Sequence, residues 1–157
     1  MLRLVIVLSL LLALTACSTK QKNIKKESYK PQTNNAITNA LYLEYQKWYG
    51  TPHKLGGITK DGLDCSSLIQ IIYRDTFNIK LPRTTKEQAK VGYLISKKST
   101  IVGDLVFFKI GYNSRHAGII IEGDKFIHTS QKNGVSISNL NNPYWKSKYW
   151  QSRRVLP

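Results

Sequence analysis

The sequence predicts an α+β domain in which helices come first and a small antiparallel sheet follows. Apolar residues recur at helical spacing between residues 36 and 90, but after residue 103 they form short runs that are divided by turn sequences. Residues 36–157 are numerous enough for one domain with its own core, and too few for two. Helices followed by a meander of antiparallel strands make an α+β domain.

The first predicted helix covers residues 36–49. Its apolar side chains recur every three or four residues, and Gly50-Thr51-Pro52 ends it. The side chains expected to face the core are Ile37, Leu41, Tyr45 and Trp48.

A second helix is expected to begin at Cys65, after a turning loop that contains Gly56-Gly57 and Gly62. Asp64 is a suitable N-cap, because its carboxylate can accept a hydrogen bond from a backbone N–H of the first turn. The apolar face of this helix is predicted to bury Leu68, Ile69, Ile72 and Tyr73.

A short third helix is expected at residues 84–90, since Thr84 and Glu87 have the spacing of a capping box. The turn sequences Gly123-Asp124 and Asn133-Gly134 are typical of hairpins and separate the last three of four predicted strands. These strands are predicted at residues 105–108, 117–122, 125–129 and 135–138.

Residues 1–16 have the features of an export signal. Met1-Leu2-Arg3 is a short basic start, residues 4–14 are almost entirely apolar, and Leu14-Thr15-Ala16 places small residues before Cys17. The apolar run is too short to span a bilayer as a mature helix. Leu-Thr-Ala-Cys resembles the bacterial lipobox, which implies lipidation of Cys17 and, with Ser18 beside it, sorting to the outer membrane. The alternative is an ordinary secreted protein with an incidental cysteine.

Residues 17–35 are predicted to form a flexible basic tether before the domain at residues 36–157. The segment is rich in Lys, Asn, Gln and Thr and has few apolar residues. The formal net charge of +15 favours a solvated basic surface, with attraction to an acidic polymer or to anionic lipid as the alternative. The chain has no basic stretch rich in aromatic residues, so no nucleic-acid partner is expected. The protein is expected to be a monomer.

Cys65 is the one thiol that remains once Cys17 is assigned to lipidation. A lone exported cysteine has no disulfide partner, so it is buried and inert, metal-bound, or reactive. At the first turn of a helix, the macrodipole and unpaired backbone N–H groups stabilise a thiolate, which predicts a lowered pKa for this thiol. The backbone N–H groups of Cys65 and Ser66 can also bind an oxyanion.

His116 immediately precedes the strand predicted at residues 117–122, and His128 lies on the neighbouring strand predicted at residues 125–129. His116 can act as general base and acid for Cys65, and His128 can accept a hydrogen bond from the ring of His116 and orient it. Each residue taken alone also fits a structural role, and one cysteine with two histidines could bind zinc as an open three-ligand site. The joint pattern favours a cysteine hydrolase that requires no metal or cofactor.

The motifs of residues 41–155 resemble those of the NlpC family of bacterial cell-wall cysteine peptidases. That resemblance implies a papain-like fold and a Cys-His-His triad at Cys65, His116 and His128. It also implies hydrolysis of amide bonds in peptidoglycan stem peptides, between γ-D-glutamyl and a diamino acid or in the cross-links. The matching segments are Gly50-Thr51-Pro52-His53-Lys54-Leu55-Gly56-Gly57, Asp64-Cys65-Ser66-Ser67-Leu68, Leu81-Pro82-Arg83, Gly103-Asp104-Leu105-Val106-Phe107-Phe108, Arg115-His116-Ala117-Gly118-Ile119, Phe126-Ile127-His128-Thr129-Ser130 and Gly134-Val135.

Three positions depart from the family pattern. His53 stands where the family usually has an aromatic residue, most often Tyr, that can donate to the oxyanion. Leu55 stands where Trp or Tyr is common, and Ser67 where Gly is preferred. His53, Arg83 and Arg115 are expected to line the cleft, although Arg83 equally fits a structural role.

The sequence therefore predicts a lipid-anchored peptidoglycan endopeptidase at the periplasmic face of the outer membrane. It is expected to work through a thioester at Cys65. Two other functions stay open: a catalytically silent wall-binding or scaffold lipoprotein, and an acyltransferase with the same triad. Thiol reactivity distinguishes the first alternative, and product analysis distinguishes the second.

Overall fold

A computed structural model describes residues 36–156, so the predicted signal sequence, Cys17 and the whole basic tether lie outside the described residues. Within residues 36–156, no helix has the length and apolar character needed to cross a membrane. The helices are α1 (Ala36–Trp48), α2 (Cys65–Phe77), α3 (Thr85–Gln88) and α4 (Pro143–Lys148). The strands are β1 (Ile58–Thr59), β2 (Gly62–Leu63), β3 (Tyr93–Ile95), β4 (Leu105–Lys109), β5 (Arg115–Glu122), β6 (Lys125–Ser130), β7 (Gly134–Asn139) and β8 (Tyr149–Arg154).

The start of α2 is fixed by a capping box. The carboxylate of Asp64 accepts from the N–H of Ser67 at 2.7 Å, and the Ser67 hydroxyl accepts from the N–H of Asp64 at 3.1 Å. The helix ends at Asn78, which has the left-handed φ of 55° that often terminates a helix. The predicted cap is confirmed, and it places Cys65 in the first turn.

The third helix is shorter than predicted. Thr84 caps it by accepting from the N–H of Glu87, as expected, but the helix ends at Gln88 and does not reach Lys90. The Gln88 side chain is buried and donates to the carbonyls of Ser66 and Pro82. These bonds hold α3 against α2, and the chain then turns into β3.

The main sheet is antiparallel with the strand order β3-β8-β4-β5-β6-β7. The predicted meander forms its β4-β5-β6-β7 half. The prediction that residues 105–108 form the first strand is wrong, because the β1–β2 hairpin and β3 precede it, and both α4 and β8 were missed. The strand β3 shows no alternation of burial, with Tyr93 54% and Leu94 62% exposed, so its pairing with the distant β8 left no local signal.

The two faces of the sheet carry two separate clusters. Ala117, Ile119 and Ile121 on β5 belong to the larger core, which also contains the apolar residues of α1 and α2. The side chains on the other face of β5 and β6, such as Ile120 and Phe126, pack in the second cluster. This arrangement of helices on an antiparallel sheet confirms the predicted α+β class.

Candidate active site

An open cleft lies where the N-terminus of α2 meets β5 and β6. Its volume is about 720 Å³, and Cys65, His116 and His128 all line it. The other lining residues are His53, Leu55, Asp64, Ser66, Thr85, Ile110, Ser114, Arg115, Thr129, Ser130, Gln131, Lys132, Tyr144 and Trp145. The nucleophile candidate and both histidines therefore share one solvent-accessible site.

Cys65 lines this cleft and, as a residue, is 7% exposed. Burial raises the pKa of the thiol. Hydrogen bonds from the Thr85 hydroxyl at 3.4 Å and from the backbone N–H groups of Ala117 and Ser66 oppose that rise without cancelling it. The predicted lowering of this pKa is thus wrong for the unliganded protein, because the expectation counted the helix end and left out desolvation. The thiol is protonated at rest and requires a base.

The two histidines are bonded to each other. Nε2 of His116 lies 3.0 Å from Nδ1 of His128, with the rings almost perpendicular, and Nε2 of His128 lies 2.8 Å from the Ser138 hydroxyl. His116 uses Nε2 for this contact, so Nδ1 is the nitrogen available to Cys65. The arrangement can orient His116 as a base, with His128 as its partner.

Aromatic residues from α4 and from the sheet surround this pair. The ring of Trp145 stacks on His116 with 5.3 Å between the ring centroids. It packs against His128 in a T-shaped arrangement with 5.0 Å between the centroids. Phe108 and Phe126 complete the surroundings. Burial, then the charge of His128 and that of His53, lowers the pKa of His116 to about 3. Burial lowers the pKa of His128 to about 4, so both imidazoles are neutral at pH 7.

Asp64 and Arg83 form an ion pair at the N-terminus of α2. The Nη2 and Nη1 atoms of Arg83 donate to the two carboxylate oxygens at 2.6 and 3.0 Å. Burial alone would raise the pKa of Asp64, but the hydrogen bonds from Arg83, Ser67 and Ser66 together with the Arg83 charge lower it to about 2. Arg83 also donates to the Ser66 hydroxyl and is not among the cleft-lining residues, so its expected place as a cleft wall is corrected to a structural one.

The three departures from the family pattern occupy different places. His53 is half-buried and lines the cleft, whereas Leu55 is 89% exposed at its mouth. Ser67 is buried, and beside its capping bond its hydroxyl donates to the carbonyl of Gly57 at 2.7 Å. A glycine at position 67 would keep the backbone N–H bond to Asp64 but could make neither hydroxyl contact.

Positive charge borders the cleft on two sides. Arg115 begins β5, and its guanidinium donates to backbone carbonyls of residues 111, 112 and 114 at 3.2–3.4 Å. Lys132 lies in the turn between β6 and β7. Among the described residues that line the cleft, Asp64 is the only acidic one, and its charge is already paired with Arg83. The cleft therefore favours an anionic ligand.

Sequence reasoning missed Thr85, Ser138 and Trp145. Thr85 and Ser138 reach the site through contacts between distant segments, for which one sequence carries no signal. Trp145 was detectable in part, because Asn142-Pro143 before it is the typical start of a helix, with an Asn cap and Pro in the first turn. Within the described part of the chain, no group of three or more His, Cys, Asp or Glu side chains is arranged to hold a metal ion.

Comparison with known proteins places this geometry in a family. Residues 50–154 match the model of the NlpC/P60 family. A relative from Haemophilus influenzae, described as a probable endopeptidase, is 43% identical over 148 residues, with 92% of each chain covered. The murein DD-endopeptidase MepS/murein LD-carboxypeptidase of Escherichia coli K12 is 42% identical over 123 residues, which are 78% of this chain and 65% of that protein.

A solved structure shows the same fold. The crystal structure of an NLP/P60 family protein from Staphylococcus aureus, described as similar to lipoprotein, superposes with a TM-score of 0.70 at 30% identity. The match covers 83% of this chain and 45% of that one. With a family match over most of the domain and relatives named as endopeptidases, the chain belongs to the NlpC/P60 family, and the predicted papain-like fold and cysteine peptidase class are confirmed.

Proposed function

We propose that the protein is a lipid-anchored cysteine endopeptidase that hydrolyses amide bonds in peptidoglycan stem peptides. The observation that carries this proposal is the convergence of Cys65, His116 and His128 on one open cleft. Family membership and relatives named as endopeptidases, one of them a murein DD-endopeptidase, support it. The proposed target is the bond between γ-D-glutamyl and a diamino acid, or a cross-link bond.

Acylation begins with a neutral thiol and a neutral imidazole. Nδ1 of His116 takes the proton of Cys65 as the sulfur attacks the carbonyl carbon of the stem peptide. The N–H groups of Ser67 and Leu68 are already bonded to Asp64, and that of Ser66 contacts the Cys65 sulfur, so we assign the N–H of Cys65 to the oxyanion. The Ser66 hydroxyl donates to the Asp64 carboxylate and accepts from Arg83, so we assign it to the ion pair at the helix end and not to the oxyanion site.

The tetrahedral intermediate then expels the amine. His116 returns the proton to the leaving nitrogen, the C–N bond breaks, and a thioester of Cys65 remains. Water attacks this thioester with His116 as base, and the sulfur recovers the proton when the C–S bond breaks. His128 holds the ring of His116 throughout. The acceptor in this scheme is water, and an acceptor amine in its place would give the acyltransferase alternative.

The charge of the cleft supports a carboxylate-bearing substrate. Arg115 and Lys132 line it, whereas its one carboxylate, on Asp64, is neutralised by Arg83. Stem peptides carry free carboxylates beside their amide bonds, so attraction to these two cations would raise the local concentration of substrate.

The anchor is proposed from the sequence. Cleavage before Cys17 and acylation of that cysteine would leave residues 17–35 as a basic tether, with the domain at the periplasmic face of the outer membrane. Growth with labelled palmitate tests this: label should enter the protein and be absent from Cys17→Ser. Label in both, or in neither, contradicts the anchor and leaves the catalytic proposal intact.

Digestion of purified sacculi tests the activity. The full-length protein in detergent should release stem-peptide fragments whose masses identify the cleaved bond. Cys65→Ala should release none, because no other group among the lining residues replaces the nucleophile. Equal release by both proteins would overturn the cysteine peptidase proposal, and no release by either at equal wall binding would favour the silent wall-binding alternative.

A further inference from the structure

Ser138 is bonded to the far side of the histidine pair. It lies on β7 opposite Phe126 of β6, so its hydroxyl reaches diagonally across the two strands to His128. The distance from Oγ to Nε2 of His128 is 2.8 Å, and the other nitrogen of that ring contacts His116 at 3.0 Å. The side chains of His116 on β5, His128 on β6 and Ser138 on β7 thus form one line of hydrogen bonds that ends at His116, the proposed general base.

This line has two consistent proton arrangements, because each neutral imidazole carries a single ring proton. In the first, His116 donates from Nε2 to His128, and His128 donates from Nε2 to Ser138. In the second, every donor and acceptor is exchanged: Ser138 donates to His128, and His128 donates to His116. Both rings are neutral at pH 7, so one of the two arrangements applies.

Only the first arrangement leaves the site with a base. It places the proton of His116 on Nε2, so Nδ1 has a free lone pair for the Cys65 proton. The second places the proton on Nδ1, and His116 then cannot accept from the thiol. Because burial keeps this thiol protonated, the choice of tautomer decides whether the attack can begin.

We propose that Ser138 is a positioning residue that selects the first arrangement by accepting a hydrogen bond from Nε2 of His128. Ser138 is half-buried, so its own O–H can donate to water while Oγ accepts from the ring. Loss of this acceptor leaves the Nε2–H of His128 without a partner and favours transfer of the ring proton to Nδ1. This inference rests on the proposed function, which assigns His116 as the base.

Substitution by threonine and by valine separates the hydroxyl from the shape of the side chain. The two side chains have nearly the same volume and both suit a strand, but only threonine carries an acceptor. Ser136→Val is the matched control, since Ser136 is the β7 residue paired in register with His128 and its hydroxyl is not the one bonded to the ring.

The tautomers are read from the ring ¹⁵N chemical shifts of the full-length protein, without any substrate. His128 should carry its proton on Nε2 in the unsubstituted protein, in Ser138→Thr and in Ser136→Val, and on Nδ1 in Ser138→Val. Sacculus cleavage by Ser138→Val should fall about 10- to 100-fold, by analogy with the loss of hydrogen-bond partners that orient metal-binding histidines. Urea midpoints of the Thr and Val variants should agree.

Three results would overturn the role of Ser138: a proton on Nδ1 of His128 in the unsubstituted protein, an unchanged tautomer and rate in Ser138→Val, or equal impairment of Thr and Val. Failure of the proposed function would give a different set of results. In that case the tautomer still shifts in Ser138→Val, but Cys65→Ala and the unsubstituted protein act alike on sacculi.

Discussion

The reactivity of Cys65 is set by a balance between burial and four neighbouring groups. Desolvation raises the pKa of its thiol and the charge of Asp64 adds to the rise, while the Thr85 hydroxyl and two backbone N–H groups lower it. The Thr85 hydroxyl, at 3.4 Å from the sulfur, is the side-chain contact among them. Because this hydroxyl stabilises the thiolate, it should act on the nucleophile directly.

Thr85→Val should slow alkylation of Cys65 by iodoacetamide. The substitution keeps the shape of the side chain and removes a hydrogen bond worth about 1 kcal/mol, which corresponds to a rate about fivefold lower at neutral pH. Thr85→Ser retains the hydroxyl and should alkylate at the rate of the unsubstituted protein. Equal rates for Val and Ser would show that the contact does not stabilise the thiolate.

Helix α4 acts as a cover on the histidine pair. Although it has only six residues, it places Trp145 against both imidazoles and against Phe108. Its first residue, Pro143, follows the cap Asn142, whose side chain accepts from the N–H of Tyr144 at 3.0 Å. The low pKa of His116 therefore depends on an element that follows the sheet meander in sequence.

Trp145→Leu should raise the pKa of His116 toward its ordinary value by about one unit, because water then reaches the ring. Titration of the imidazole Cε1 proton by NMR measures the change. Tyr144→Leu is the control, since Tyr144 is 51% exposed and lies beside Trp145 on the same helix. A pKa that stays constant in Trp145→Leu would contradict the role of the indole in desolvating His116.

The two buried histidines make the stability of the whole domain depend on pH. Their pKa values of about 3 and about 4 lie below the ordinary value of 6.5, so the unfolded chain takes up protons first as the pH falls. Their contribution is fully present above about pH 6.5 and decreases as the pH falls toward these values. Asp64 acts in a lower window, because its pKa is lowered from 3.8 to about 2 and its contribution is lost only as the pH falls through that range.

The urea concentration at the unfolding midpoint should therefore decrease as the pH is lowered from about 7 to about 4. His116→Gln removes one of the groups responsible and should make the dependence shallower. The midpoint can be followed by far-UV circular dichroism at fixed ionic strength. A midpoint that is constant over this range would mean that the histidines are not desolvated as the structure indicates.

Local patterns were sufficient for some of these features. The cap of α2 was readable because Asp64 and the helix it begins are adjacent, and the two histidines were readable because hairpin signals separate their strands. The prediction of a lowered pKa for Cys65 was wrong because the extent of its burial depends on the packing of α3 and β5 around the sulfur. Ser138 and Trp145 escaped prediction for the same reason, since each meets the histidines only after the sheet has formed.

The position of β8, next to the edge strand β3, has a consequence for the order in which the sheet forms. This strand lies between β3 and β4, and Arg154 within it forms a bidentate ion pair with the buried Asp104. A folding chain in which β8 has not yet paired would leave β3 without a partner strand and one edge of β4 open, even with Cys65, His116 and His128 already in place. Because pairing between segments distant in sequence is slow to form, we expect this half of the sheet to be completed late in folding.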